Sequence, residues 1–505
     1  MKESFRKMYR RIGALRDTGE FLDYLKSLGL ELPVDERIFS AAENSPMARS
    51  WKIGGKTLGN RWTIHPMEGW DGNSDGSPSE RVLNRWRKFG VSGAAMIFGG
   101  EAFAVTEDGR ANPRQLFFNP ENAEISCRLL VKTVRNAHEE FRKRETGYAD
   151  GDFLVGLQLT HSGRFSQNSR GGYAPRIAFH HKGLDARVGI SPLDDSCVMT
   201  DDEIQRLIEK YVFAAKTAHQ AGFDFVDVKH CHGYFAHELL HAVSRLGKFG
   251  GSLENRMRFA REICAGIRAE CSGMLIGVRL SLFDTLPGEE RIAMIPGTVS
   301  HFSEVLTPED YEIVRVFAEE IKIDILNLTA GSPYYSVYLQ RPSFTPAREA
   351  VLGADGIMRI PQDVTPPEDP LIGCCRQIYA VRKIKERFSS LPIIGSAYSY
   401  FQEFLPQVAQ GVVRNGWADS VGIGRMVLPY PEMIADTLAG RQLDRRRICR
   451  TFSDCTTAPR NGMISGCYPL DDDYRKMAEA VQLKILKTPI LPGESKKRRD
   501  EKQDA

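Results

Sequence analysis

The sequence predicts an α/β fold: a (β/α)8 TIM barrel carrying an N-terminal helical extension and a C-terminal cysteine-containing appendix. Three observations predict it. Short apolar runs alternate with helical patterns eight times over roughly 370 residues. Polar and ionisable residues gather just after those runs, where a parallel barrel builds its site. No GxGxxG turn follows any run, which disfavours a doubly wound sheet.

The elements follow in order. Residues 1–50 read as the helical extension, in which Phe21, Leu22, Tyr24, Leu25, Leu28 and Leu30 form an apolar stripe ended by Gly29 and Pro33. Such a helix packs on the barrel or on a second copy of the chain. WKIGGKTLGN, 51–60, reads as a hairpin turning at Gly54-Gly55. RWTIHPMEGW is the first barrel strand, and a helix follows over 79–89. Strand two is 94–98, ending in Gly99-Gly100-Glu101, and strand three is 153–159, running into THSGRF. Thr200 with Glu203 makes a capping box that opens a helix to about Gln220. Strand four, 223–228, delivers Lys229, His230, His232 and Tyr234. Helices near 254–270, 308–321, 374–388 and 401–415 separate strands 275–281, 323–329, 391–396 and 418–425. The Pro-, Gly- and Tyr-rich stretch 330–372 lies on the strand C-terminal side, where substrate loops belong. The barrel thus spans 51–440, an appendix spans 441–485, and a mixed-charge tail spans 486–505, expected to be solvated and disordered.

Composition narrows the function. The chain has 505 residues, 42% hydrophobic and 26% charged, with a formal charge of +3. So small a charge gives no basis for nucleic-acid or membrane-surface binding. No apolar run approaches the ~20 residues that span a bilayer, and the basic N-terminus lacks the apolar core of a secretory signal. Ten cysteines without framework spacing fit the reduced thiols of a cytoplasmic protein.

The residues after the strands carry the chemistry. Ser396, from strand seven, and Gly424 and Arg425, from strand eight, sit where barrels hold phosphate: glycine admits backbone N–H groups and arginine supplies charge. Gln158 offers an amide that both donates and accepts, suited to a pyrimidine edge. Arg279 places a fixed charge near a ring that becomes anionic on reduction. Met67, after Pro66, is a soft apolar contact for a planar ring. Together these describe a phosphorylated flavin across the barrel mouth.

The segments NRWTIHPM, QLTHSGR, AGFDFVDVKHCHGYF, FGGSLENRMRFAREI, VRLS and ADSVGIGRMVLPYPEM resemble the old yellow enzyme family of FMN oxidoreductases. The resemblance is to the branch containing 2,4-dienoyl-CoA reductase and trimethylamine dehydrogenase, and it covers about 51–440. It implies that Pro66, Met67, Gly100, Gln158 and Arg279 contact the flavin ring, and that Ser396, Ala397, Gly424 and Arg425 hold its phosphate. It implies a substrate-binding pair at Lys229 and His232 and a proton donor at Tyr234. The implied reaction is NADH- or NADPH-driven reduction of an activated C=C bond in a small-molecule substrate. Hydride would come from flavin N5, and a proton from Tyr234 or solvent.

The sequence departs from that family in four places. Lys229 stands where a histidine or tyrosine is usual; its ammonium suits an anionic substrate, or pairs with Glu68 or Glu101. Glu68 excludes the flavin-linking cysteine of trimethylamine dehydrogenase and would disfavour an anionic reduced ring. Phe165 replaces the acid tyrosine of the dienoyl-CoA reductases. In the appendix, the C-x2-C-x3-C-x11-C pattern of a [4Fe–4S] cluster survives only at Cys455 and Cys467. Ile448 and Thr451 hold the other two positions, with Cys449 out of register. A cluster is therefore not expected, nor is a second dinucleotide-binding domain. Electrons then reach FMN from NAD(P)H or from a separate electron-transfer protein. The alternatives are a flavin dehydrogenase oxidising an amine or C–H donor, a metal-dependent hydrolase using His230, His232, His237 and His241, and a barrel that binds a partner without turnover. The N-terminal helix and the appendix are candidate surfaces for a homo-oligomer.

Overall fold

In the computed structural model of the protein, residues 9–145, 151–284, 305–345, 347–352, 356, 358–360, 366 and 368–488 are described. Eight parallel strands form the barrel: β1 (Trp62–Ile64), β2 (Met96–Ile97), β3 (Leu154–Thr160), β4 (Phe225–Val228), β5 (Leu275–Ser281), β6 (Ile325–Thr329), β7 (Ile393–Gly395) and β8 (Ser420–Ile423). The circle closes where β8 pairs with β1, Val421 opposite Trp62, and β2 pairs with β3, Met96 opposite Leu154. A short extra strand, Ala102–Ala104, continues alongside β3. Every residue of β3 is buried, as expected of a strand covered on both faces.

Helices surrounding the barrel include α1 (Glu80–Gly90), α2 (Ala123–Arg144), α3 (Asp201–Ala221), α4 (Leu253–Glu270), α5 (Pro308–Arg315), α6 (Pro370–Arg387), α7 (Leu405–Arg414) and α8 (Met433–Ala439). Their ends obey local chemistry. Thr200 and Glu203 form the expected capping box on α3, and Gly222 closes it in the left-handed conformation at φ 98°. Helix α5 widens into a π turn over Val316–Ile321 before β6.

The two barrel ends differ. At the bottom the hairpin Trp51–Ile53/Lys56–Leu58 inserts Trp51, Ile53 and Leu58 against Phe98, Leu154 and Phe225. The rings of Phe98 and Phe225 meet at 5.2 Å. The apolar plug leaves the top, where the strands end, as the open side.

The N-terminal helix Thr18–Ser27 packs on the barrel wall. Phe21 stacks on Phe404 at 4.6 Å, and the Tyr24 hydroxyl donates to Asp369 at the start of α6. The appendix holds three short helices, Asp454–Arg460, Asp472–Arg475 and Ala478–Lys487, the last of which crosses the expected boundary at 485. An ion pair of Lys88 with Asp471 fastens the appendix to α1. Residues 489–505 of the expected charged tail lie outside the described residues. No described helix is long and apolar enough to cross a membrane, and all ten cysteines are free thiols.

Candidate active site

An open cavity of about 230 Å³ occupies the barrel mouth, and the appendix forms part of its wall through Cys455, Thr456 and Arg460. Of the twelve residues the sequence nominated, eleven line it: Pro66 and Met67 after β1, Gln158 on β3, Lys229, His232 and Tyr234 after β4, Arg279 on β5, Ser396 and Ala397 after β7, and Gly424 and Arg425 after β8. Gly100 stands one layer behind, its carbonyl accepting from the Met67 N–H at 2.9 Å. A Cβ on Gly100 would lie 2.5 Å from the Trp86 ring, so the position serves the approach of Met67's loop to α1.

The floor is a polar network in the top layer of the barrel. Asp227 on β4 is fully buried; its carboxylate accepts from Gln158 Nε2 at 2.5 Å and from the Arg279 backbone N–H at 2.7 Å. Arg279 donates weakly to the Pro66 carbonyl at 3.5 Å, and its Nε has no partner. His65 bridges Asn327 and Ser396, 3.1 Å to each, and burial holds it neutral, its pKa well below the usual histidine value. The ring lies against Gly422, where a Cβ would come within 2.0 Å of it.

Burial raises Asp227 to about 7 from an ordinary 3.8, against the Gln158 hydrogen bond and Arg279, which favour the charged form. The folded state therefore holds a proton that the unfolded state releases between those two values. That contribution to stability is full below about pH 3.8, declines by at most about 1.4 kcal/mol per pH unit, and is gone above 7. Asp227→Asn keeps the neutral side chain throughout. Melting curves should show a wild-type-minus-variant stability difference that falls as pH rises from 4 to 7; a difference independent of pH would refute this.

The wall after β4 holds the second network. The Tyr234 hydroxyl lies 2.9 Å from both Glu68 carboxylate oxygens and 3.1 Å from the Tyr334 hydroxyl. Lys229 Nζ pairs with Glu68 at 3.1 Å and sits 3.6 Å above the Tyr234 ring centre. Of the two acids foreseen as partners of Lys229, Glu68 takes it and Glu101 pairs with Arg85. Burial first, then Glu68, holds the Tyr234 pKa well above 10, so the phenol stays protonated. His232 sits at φ 67°, in the left-handed region uncommon for non-glycine residues and concentrated at ligand sites. Burial keeps it neutral, and its Nε2 lies 3.5 Å from Thr329 Oγ1. Phe165 brings no polar group to this network; its ring stacks face to face on Tyr334 at 3.8 Å.

The other histidines are engaged structurally. His230 Nδ1 meets the Val228 carbonyl at 2.8 Å and its ring packs edge-on against Phe317. His237 Nδ1 accepts from the Gly233 N–H, and His241 Nδ1 meets the His237 carbonyl. Among the described residues no three His, Cys, Asp or Glu side chains are placed to hold a metal ion. Cys449, Cys455 and Cys467 border one small pocket, together with Thr451.

Lining residues the sequence did not single out include His65, Trp70, Tyr334 and Arg341. The aromatic loop after β6 was the available signal for Tyr334 and Arg341, because it had been placed on the site's side of the barrel.

Comparison with known proteins supports the same end point. Residues 49–307 match the family model described as NADH:flavin oxidoreductase / NADH oxidase family. An NADPH dehydrogenase of Bacillus cytotoxicus is 29% identical over 296 residues, covering 57% of this chain and 72% of the relative. An NADH oxidase of Thermoanaerobacter brockii is 24% identical over 405 residues, covering 78% of this chain and 51% of the relative, so the chain spans about half of that protein. Among solved structures, a 2-naphthoyl-CoA reductase shares the fold at a TM-score of 0.61 and 20% identity, over 84% of this chain and 56% of the other. A histamine dehydrogenase from Rhizobium sp. 4-9 does so at 0.58 and 21%, over 84% and 52%. With half its length matching the family model, and the barrel closed as that family requires, this chain belongs to the NADH:flavin oxidoreductase / NADH oxidase family, the FMN-dependent NAD(P)H oxidoreductases of old yellow enzyme type.

Proposed function

We propose that the protein uses NADH or NADPH to reduce an activated C=C bond, with FMN across the barrel mouth. The observation that carries this reading is the Tyr234 hydroxyl, a protonated donor placed in the same cavity as Arg279 and Gln158. The chain's donor set fits FMN. Arg279 Nε and Arg425 Nη1 are buried without partners, as expected of groups that a ligand completes. Pro66 and Met67 would lie along the ring, with Gly100 supporting Met67, and Gln158 and Arg279 would meet its pyrimidine edge. Ser396, Ala397, Gly424 and Arg425 would hold the phosphate, Ala397 in a left-handed conformation at φ 76°.

Bound FMN supplies the hydride chemistry between nicotinamide and alkene. The chain's residues do the rest. His232, neutral, and Lys229 donate to the carbonyl oxygen of the substrate and stabilise the charge that develops there. Lys229 also pins Glu68, which in turn aims the Tyr234 hydroxyl. Tyr234 gives its proton to the substrate α-carbon, and the hydrogen-bonded Tyr334 hydroxyl opens a route for replacing it. The reading includes no iron–sulfur cluster, because Ile448 and Thr451 offer no thiolate at two of the four positions.

Anaerobic absorption spectroscopy tests the whole. Flavin bands should bleach on adding NADH or NADPH and return when an activated enone is added. A flavin that neither nicotinamide bleaches, but an amine donor does, would overturn the reading in favour of a dehydrogenase.

A further inference from the structure

Five cationic side chains line the cavity, Lys229, Arg279, Arg341, Arg425 and Arg460, against one carboxylate, Glu68. Lys229 is already paired with that carboxylate. The remaining excess is concentrated toward the appendix. There Arg460 donates to the Pro333 carbonyl and approaches Glu349 at 3.9 Å. Among the described residues, no carboxylate forms an ion pair with Arg341 or Arg425.

Arg341 follows the short helix Val337–Gln340 in the loop after β6. Its Nη1 donates to Thr456 Oγ1 of the appendix at 2.5 Å, while Nε and Nη2 are enclosed without partners. Arg425 stands after β8 with its Nη1 equally enclosed and unpartnered. Burial, and next the proximity of Arg425, press the Arg341 pKa below the ordinary arginine value. Two like charges held together in a desolvated wall cost free energy unless an anion joins them. Two planar forks with free N–H groups match the oxygens of a phosphate.

We propose that Arg341 joins Arg425 in a two-guanidinium clamp on a phosphate monoester dianion, the phosphate of the bound FMN. The inference rests on the FMN reading above and adds to it a residue from outside the β7 and β8 ends. It also gives the appendix a role: Thr456 fixes the Arg341 fork, so the segment that borders the three thiols shapes the phosphate end of the cavity. The 2′-phosphate of NADPH has the same chemistry. The flavin phosphate is favoured because Arg425 and Ser396 place the clamp at the β7–β8 end, where barrels hold a resident phosphate.

The test uses the full-length protein stripped of flavin, as wild type, Arg341→Ala and Arg341→Lys. Each is titrated with FMN and with riboflavin by flavin fluorescence, and KM is measured for NADPH and NADH in the reloaded proteins. Arg341→Ala should weaken FMN binding about ten-fold or more and riboflavin binding less than about two-fold, with Arg341→Lys between. Riboflavin binding doubles as the check on folding. Parallel weakening of both flavins, or no change in either, would overturn the clamp. Unchanged flavin affinities with a raised KM for NADPH alone would move the clamp to the nicotinamide and overturn the flavin assignment. A wild type that binds both flavins equally overturns the clamp but leaves FMN in place; one that binds neither overturns the FMN reading itself.

Discussion

Tyr234→Phe is expected to slow alkene reduction by about 10²- to 10⁴-fold, the range of a lost general acid, while the flavin is still reduced by NAD(P)H at its wild-type rate. The asymmetry follows from what the hydroxyl touches. It contacts Glu68 and Tyr334 on the wall above the floor formed by Gln158, Asp227 and Arg279. Phenylalanine removes only an oxygen, so the ring keeps its place under Lys229, and Glu68 keeps the Lys229 ion pair. Stopped-flow spectroscopy measures the two half-reactions apart. Equal slowing of both would mean that the phenol positions the cofactor rather than protonating substrate. Tyr334→Phe is the companion: if Tyr334 only relays the proton, it should slow the alkene half-reaction far less than Tyr234→Phe.

The barrel was legible because its signal is repetitive. Strand β5 was read at its observed bounds, 275–281, and the hairpin at Gly54-Gly55 matched, since an apolar run or a two-glycine turn is a local property. Helix α2, Ala123–Arg144, is absent from the sequence reading although Cys127, Leu130, Val131, Val134, Ala137 and Phe141 give it a helical stripe. Its 22 residues are heavily charged on the outer face, and the alternation of strands was satisfied without it. Most cavity-lining residues that follow strands were nominated for the same reason as the strands. Arg341, Tyr334 and His65 were not, although His65 directly follows β1. The roles of Arg341 and Tyr334 arise from contacts at long range, Arg341 with Thr456 and Tyr334 with Tyr234. Such contacts depend on where a loop of irregular backbone returns, which neither periodicity nor a turn motif specifies. The Lys229 ambiguity shows the limit in miniature. Two acids were open to it, and the choice of Glu68 follows from Arg85 holding Glu101, a residue on a helix that the cluster's own sequence does not include.

That same arginine carries the largest expected loss of stability. Arg85 on α1 is buried between two buried acids: it grips Asp71 with both Nη atoms, at 2.6 and 2.9 Å, and Glu101 at 2.5 Å. Glu101 in turn accepts from the Gly69 N–H at 2.9 Å. A Cβ on Gly69 would lie 2.2 Å from Arg85 Nη2, so the loop can close on the guanidinium only with glycine there. Arg85→Met fits the space but strands two carboxylates in the core, and breaking such a buried set from one side costs about 3–5 kcal/mol. The pH dependence has a definite sign. Burial already raises Glu101 to about 7 with the arginine present, and removing the cation raises it further. A carboxyl that binds its proton more tightly when folded contributes stability below its unfolded value of 4.5, and that stability is lost as pH rises through the folded value. The variant's deficit against wild type should therefore be greatest at pH 8 and shrink toward pH 5, measured by denaturant unfolding at each pH. A deficit that stays constant, or grows as pH falls, would show that packing and not charge is what Arg85 supplies. Because the loop between β1 and α1 carries Met67 and Glu68 into the cavity, the variant should also lose alkene reduction at temperatures where it remains folded. Loosening Gly69 frees the carboxylate beside it, and with it the aim of the Tyr234 hydroxyl.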